Sequence, residues 1–413
     1  MATIRPLKGV RPQNQLAPQV AAYPYDVLNS KEAREIAQGN PLSFLHVSKA
    51  EIDLPESINL YDDQVYAKAL ENFENLFKNK TFIQDPNPYL YIYKQKMGEH
   101  EQYGIVGCAS ADEYNNNIIK KHELTRKNKE DDRTRHVITL NANAGPVFLT
   151  YRDNKNIDQI VNQFTKNHAP EVDFVATDNI AHTVWVIKDP QLIKQISELF
   201  KSIDSLYVAD GHHRSASAAR AKAERLKTDP HPNDEKEYNY FLSVFFPASQ
   251  LKIMDYNRVL FTLNNLSKDE FLTKVKTKFD ITKNTTPHPN KPCEFGMYLD
   301  HSWYQLRAKD GTFPKNDPVL SLDVSILQNN LLAPILGIGD PRTDNNIDFV
   351  GGIRGHLELE RRVDSGECQV AFKLFPTSVN QLMDVADAGS IMPPKSTWFE
   401  PKLRSGLIIH LLD

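Results

Sequence analysis

The amino-acid sequence predicts a mixed α/β (α+β) protein built from more than one domain. A length of 413 residues exceeds what a single hydrophobic core ordinarily serves. Short apolar runs such as Ser205-Leu-Tyr-Val-Ala209 and Phe241-Leu-Ser-Val-Phe-Phe246 read as buried strands. Segments of helical periodicity fall between them, and a β–loop–α–β succession is the signature of mixed architecture.

Each element follows from local pattern. Val20 to Leu28 reads as a strand leaving into a turn, because Pro24 opposes helix before Tyr25. Asn29 or Ser30 can cap a helix over about 31–38, with Lys31, Glu32 and Glu35 near its start and Gly39 as its stop. A second helix is expected over 61–78, with Ala67, Leu70, Phe73 and Phe77 on one face. Tyr89–Lys94 and Tyr103–Cys108 read as paired strands. The stretch 115–135 is the most charged of the chain, and for most of its residues a solvated loop and helix suffices. A strand over 179–188, a helix over 190–202 and the strand 205–209 lead to the loop Asp210-Gly211-His212-His213-Arg214. The alanine-rich helix that follows would use Ala216, Ala219, Ala223 and Leu226 as its inner face.

Beyond about 265 the texture changes, so domains are expected over 1–265 and 266–413. Ser267 caps a helix over 266–277, with Glu270 completing a capping box. A Pro- and Asn-rich linker covers 284–292, and a hairpin turns across Asp300-His301-Ser302. Three prolines between Ile391 and Lys402 forbid regular helix and predict an ordered loop.

Composition narrows the function classes. Hydrophobic residues at 40% and charged residues at 25% describe a water-soluble globular chain. A net charge of −4 argues against a broad nucleic-acid surface. Three widely spaced cysteines, Cys108, Cys293 and Cys368, in no CxxC pairing make disulfides and structural zinc unexpected. With no apolar leader after Met1 and no run of about 18 apolar residues, the expectation is a cytoplasmic protein without membrane contact.

The Asp210 loop carries the chemistry. An apolar strand delivers the chain to Asp210-Gly211, and Gly allows a tight turn with close backbone approach. The next helix presents its unpaired N–H groups and positive dipole end there. His212, His213 and Arg214 add donors and Ser215 or Ser217 a hydroxyl; Arg in particular matches phosphate geometry. An anion site is the reading. Asp210 could orient a histidine or bind a metal, and the sequence does not separate the two.

These residues resemble the phosphate-gripping signature of the ParB and sulfiredoxin superfamily. More widely, Val20–Leu28, His122-Glu123-Leu-Thr125, Asp132-Arg133, Asp210–Arg214 and Met392–Lys402 resemble, in order, a large family that includes pyrophosphate-dependent free-serine kinases. The resemblance implies a ParB/sulfiredoxin-like catalytic core within 1–265 and an additional C-terminal α+β domain. It also implies a kinase that makes O-phospho-L-serine and phosphate from L-serine and pyrophosphate. ADP or ATP is the alternative donor; a ParB-like nucleotide-binding module is the alternative of another class. Neither G-x-x-x-x-G-K-[ST] nor an H-R-D loop occurs. Sulfiredoxin chemistry is excluded because His212 stands where its thiol would lie.

Phosphoryl transfer asks mainly for positioning and charge neutralisation. Asp26 and Glu123 are candidates to orient the acceptor hydroxyl, although an Asx-turn would equally explain Asp26. Asp210 joins them as a catalytic candidate. Mg²⁺ is the expected cofactor, with Asp210, Glu123 and Asp132 as candidate ligands. Lys395, Ser396, Thr397, Lys402 and Arg404 form a basic, hydroxyl-bearing block, and the loop 391–406 is expected to close over the donor phosphates. His122, Thr125 and Arg133 are candidates for holding the serine.

Overall fold

The computed structural model describes residues 1–283 and 286–413. It resolves into two compact units, Met1–Leu251 with Pro401–Asp413, and Lys252–Glu400. The division thus falls at 251/252, and the boundary expected at 265 lies inside the second unit. The last thirteen residues return to the first unit, so the anticipated loop 391–406 is split between the two. The linker expected over 284–292 begins outside the described residues.

The first unit is organised on an eight-stranded sheet. Its strands are β1 (Leu90–Met97), β2 (His100–Ser110), β3 (Ile119–Lys120), β4 (Val147–Tyr151), β5 (Val172–Val175), β6 (Ala181–Ile187), β7 (Leu206–Asp210) and β8 (Tyr240–Pro247). They lie in the order β3-β7-β4-β8-β2-β1-β6-β5. The β7/β3 and β8/β4 pairs are parallel and the others antiparallel. The central strands read as near-continuous apolar runs because both faces are covered, and Leu90, Ile105, Leu149, Val208 and Phe245 share one core.

The longer helices of this unit are α1 (Ser30–Ala37), α2 (Asp63–Lys78), α3 (Lys127–Leu140), α4 (Lys155–Asn167), α5 (Pro190–Phe200) and α6 (His212–Thr228). Asn29 caps α1 and closes a capping box with Glu32, and Gly39 follows at φ +75°. The inner face of α2 is Val65, Tyr66, Ala69, Phe73 and Leu76; Ala67, expected on that face, is exposed. On α6 likewise Ala216, Ala218, Ala219 and Ala221 are buried, whereas Ala223 and Leu226 face solvent. Phe73, Leu70 and Phe77 on α2 and Ala216 and Ala219 on α6 do meet the core as expected, so only Ala67, Ala223 and Leu226 were misplaced.

Val20–Leu28 is not a strand. A short helix ends at Val20 and a 3₁₀ turn spans Tyr25–Val27; only Ala22 makes a β-bridge, to Ser405. Local turn chemistry at Pro24 and Asp26 outweighs the apolar pattern there. The C-terminal return is fixed by that bridge, by a bridge from Ile409 to Val10 and by His410–Leu411 pairing with Ala142–Asn143. Buried Gln95, opposite Gln102 across β1 and β2, donates to the Lys402 carbonyl at 2.9 Å and accepts from Gln102 at 3.0 Å. These bonds satisfy amides that burial would otherwise penalise.

The second unit is an antiparallel six-stranded sheet with helices. Its strands β9 (Tyr256–Leu260), β10 (Phe279–Lys283), β11 (Glu294–Leu299), β12 (Ser302–Ala308), β13 (Ile347–Gly351) and β14 (Val370–Leu374) lie in the order β10-β12-β11-β14-β9-β13. The expected hairpin is β11–β12, and Asp300 and His301 turn it at φ +47° and +55°, the mirror-image turn that suits strand twist. The expected helix 266–277 is Lys268–Val275, capped by Ser267 with Glu270.

Replacing Asn29 by Ala should destabilise the protein by about 1 kcal/mol through loss of the α1 cap. Lys31→Ala, at an exposed position in the first turn of the same helix, should be close to neutral by comparison. Urea unfolding of both variants checks the pair.

Candidate active site

Strand β7 ends at Asp210, and Gly211 turns the chain into α6 at φ +97°. A side chain there would be strained, and its Cβ would meet the Arg214 guanidinium at 3.2 Å. The turn therefore demands glycine on two grounds. One turn into the 17-residue helix α6, Arg214 folds back toward the loop. Its guanidinium donates to the Pro146 carbonyl and to Asp26 Oδ2 at 3.3 Å, and lies 3.6 Å from Asp210 Oδ1. Asp210 Oδ2 is paired with Lys402 Nζ at 3.1 Å.

This alternation of charges sets the ionisation states. Burial alone would raise Asp210, but Lys402 and Arg214 outweigh it and hold the carboxyl far below its ordinary range. Arg214 is itself raised against its desolvation by Asp26 and Asp210. Two groups here retain unused donor or acceptor capacity: neither Arg214 Nε nor His212 Nε2 has a hydrogen-bond partner. Buried polar atoms without partners are uncommon and costly, which marks this loop as a place for a ligand.

The sequence candidates divide clearly. Asp26, Asp210, Gly211, Arg214 and Lys402 meet in one network. His213 lies beside it and accepts a bond from the Arg126 N–H at 3.0 Å; burial lowers its pKa. Ser215 does not present its hydroxyl, which donates to the Gly211 carbonyl at 3.2 Å in a wholly buried position. Asp132, expected to bind metal, is occupied: Tyr66 donates to it at 2.7 Å and Arg133 Nε at 2.8 Å. Asp132 is lowered although burial opposes it, chiefly by Arg133. Thr125 is likewise turned inward on its own segment, donating to Glu130 at 2.7 Å.

Arg404 is held apart from the Asp210 network. Its guanidinium stacks on Tyr23 at 3.8 Å, donates to Asp178 and gives Nε to His182 at 3.3 Å, while Nη1 has no partner. Since His182 accepts at Nε2, its proton sits on Nδ1, 2.7 Å from the Tyr93 hydroxyl. Lys395, Ser396 and Thr397 belong to the second unit. There the Lys395 carbonyl accepts from Arg258 at 3.0 Å, and Ser396 donates to Pro393 at 2.6 Å.

Of the three carboxylates considered for Mg²⁺, Glu123 is exposed and the other two are engaged by cations. Asp132 is paired with Arg133, and Asp210 with two cations. Residues that sequence reading missed include Tyr25, whose ring lies under Arg133 at 4.2 Å, Gly145 and Pro146. Arg133 and Arg214 line one narrow cavity together with Tyr25, Gly145, Ser217 and Ser405. Its 40 Å³ accommodates about three water molecules or a small polar group. No spacing rule links these segments; only the Gly-Pro pair before β4 hinted at a tight approach.

Burial pulls His122 and His136 down to about 4 and His182 to about 3. In the unfolded chain each takes up a proton below about 6.5. The unfolded state therefore binds more protons between those values, and stability is lost as pH falls from about 6.5 toward 4. Urea midpoints recorded across that range should decline and flatten in part in His136→Gln; a level wild-type profile would contradict the assignment.

Among solved structures the chain is similar to a conserved hypothetical protein from Pyrococcus furiosus, at 12% identity over 73% of this chain and 93% of that one, with a TM-score of 0.34. It is also similar to a free serine kinase in complex with AMP (12%, 72% and 86%, 0.34). SbnI with a C-terminal truncation from Staphylococcus aureus is a further relative in shape (11%, 73% and 85%, 0.37). At such scores these likenesses carry no argument about activity. No curated protein matches the chain. Among the described residues no helix is long and apolar enough to cross a membrane. One family model matches residues 4–325, more than half of the chain, and the chain therefore belongs to the family described as Protein of unknown function (DUF1015).

Proposed function

We propose that the protein is a phosphotransferase that makes O-phospho-L-serine from free L-serine and pyrophosphate, on a ParB/sulfiredoxin-like core. The observation that carries this reading is the Gly211 turn. The buried Arg214 Nε, a donor in any ionisation state, lacks a partner there, beside the N-terminus of a long helix. Such a place suits an anion with several oxygens. The ordered resemblance of the Asp210 loop and its companion segments to free-serine kinases supplies the substrate class.

In this reading the serine hydroxyl oxygen attacks one phosphorus of pyrophosphate. The bridging P–O bond breaks and phosphate departs, carrying the electron pair. Asp26 is the base: it is exposed and next to the Arg214 guanidinium, so it orients the hydroxyl and takes its proton late in transfer. Arg214 grips the donor phosphates. Asp210 cannot serve as base, because Lys402 and Arg214 hold it ionised and engaged; it positions Arg214 and Lys402. Arg133, on the shared cavity, suits the serine carboxylate. Mg²⁺, which pyrophosphate ordinarily carries, would be held mainly by the donor's own oxygens.

Purified protein with Mg²⁺ and L-serine, offered pyrophosphate, ADP or ATP in turn, should form phosphoserine from pyrophosphate. Asp26→Asn should lower kcat by about 10²- to 10⁴-fold with little change in KM. Phosphoserine from a nucleotide alone would replace the donor, and none from any donor would refute the serine kinase.

A further inference from the structure

The parallel pairing of β3 with β7 sets Ile119 opposite Leu206 and Lys120 opposite Tyr207. Both strands therefore run out at the same edge of the sheet. Past β3 the chain places His122 and Glu123, and past β7 the Gly211 turn places His212. The two imidazoles meet edge to face, with centroids 4.5 Å apart and planes at 86°. One ligand atom from each of His122, Glu123 and His212 lies within 4.8 Å of the others.

Packing does not account for this meeting. Both rings are buried, at 1% and 6% exposure; Nε2 of His212 has no hydrogen-bond partner and neither His122 nitrogen makes a well-aligned bond, the Val208 carbonyl lying only close enough to act on the His122 ring. Poorly satisfied polar atoms gathered in one spot carry a substantial desolvation penalty. A bound cation would relieve most of it by taking one lone pair from each ring, leaving the other His122 nitrogen as an N–H toward the Val208 carbonyl. Asp210 lies near enough to act on both histidines and adds favourable negative charge.

We infer that His122, Glu123 and His212 form a binding site for one divalent transition-metal ion, with open coordination positions facing the Asp210–Arg214 loop. Two imidazoles and one carboxylate are a donor set for zinc, manganese, iron or cobalt, whereas magnesium prefers oxygen alone. Three protein ligands leave room for water or an anionic oxygen. The role of His212 changes accordingly, from a direct phosphate donor to a metal ligand. This inference does not depend on serine being the substrate.

The test uses the full chain stripped of metal and dialysed against Zn²⁺, with Co²⁺ absorption as a second readout. One Zn²⁺ should bind per chain, Mg²⁺ in large excess should fail to displace it, and Co²⁺ should give visible bands of a low-coordinate nitrogen and oxygen site. Glu123→Gln, an exposed position whose change should leave folding intact, should weaken Zn²⁺ by about tenfold or more; His212→Ala should weaken it further. Absence of saturable Zn²⁺ binding by folded protein would overturn the site. So would displacement by Mg²⁺, or unchanged affinity in Glu123→Gln. None of these readouts requires catalysis, so loss of the metal site and loss of the serine-kinase reading are separately visible.

Discussion

The Arg214 guanidinium is buried, and a buried cation has to be balanced by charge and hydrogen bonds close at hand. Asp26 and Asp210 supply the charge and the Pro146 carbonyl the further acceptor; Lys402 then offsets the second carboxylate. Four segments remote in sequence are thereby required at one point: the 3₁₀ turn after Pro24, the approach to β4, the end of β7 and the C-terminal return. The course of the chain follows from this. The last residues leave the second unit and rejoin the first, pinned by the buried Gln95–Gln102 pair and by bridges to Val10 and Ala22.

The same constraint explains the division of labour among the carboxylates. Asp210 is locked between two cations and Asp132 between Tyr66 and Arg133, so each spends its charge on holding a cation in place. Asp26 touches the network from its exposed side. Carboxylates of one type, within one site, thus acquire different chemical capacities from their surroundings. On the other side of Asp210 the rings of His122 and His212 meet edge to face, with Glu123 beside them.

Much of this was legible in the sequence, and the reasons for the remainder are specific. The Asp210 loop could be read because its parts are contiguous: a strand end, a glycine that must take positive φ, and donors in the first turn of a helix. The capping boxes at Asn29 and Ser267 and the hairpin at Asp300-His301 were equally local. Asp26 and Lys402 were nominated, but their meeting around Arg214 was not, since it spans almost the whole chain. The strand expected over 20–28 failed because turn chemistry at Pro24 and Asp26 overrode apolar content. The inner faces of α2 and α6 were read in the main correctly, and Ala67 and Ala223, small enough for either side, were assigned to them in error. The histidine pair escaped because it depends on the parallel register of β3 and β7, which no short-range pattern encodes.

Binding of pyrophosphate without turnover distinguishes a donor-phosphate site at the Asp210–Arg214 turn from a purely structural network of charges. Calorimetric titration of pyrophosphate into the wild-type protein without serine should give saturable binding. Arg214→Lys, which keeps the charge and removes the planar fork, should weaken it by about tenfold or more, the loss expected of a charge-assisted hydrogen bond. Absence of pyrophosphate binding, or equal affinity in Arg214→Lys, would contradict the account.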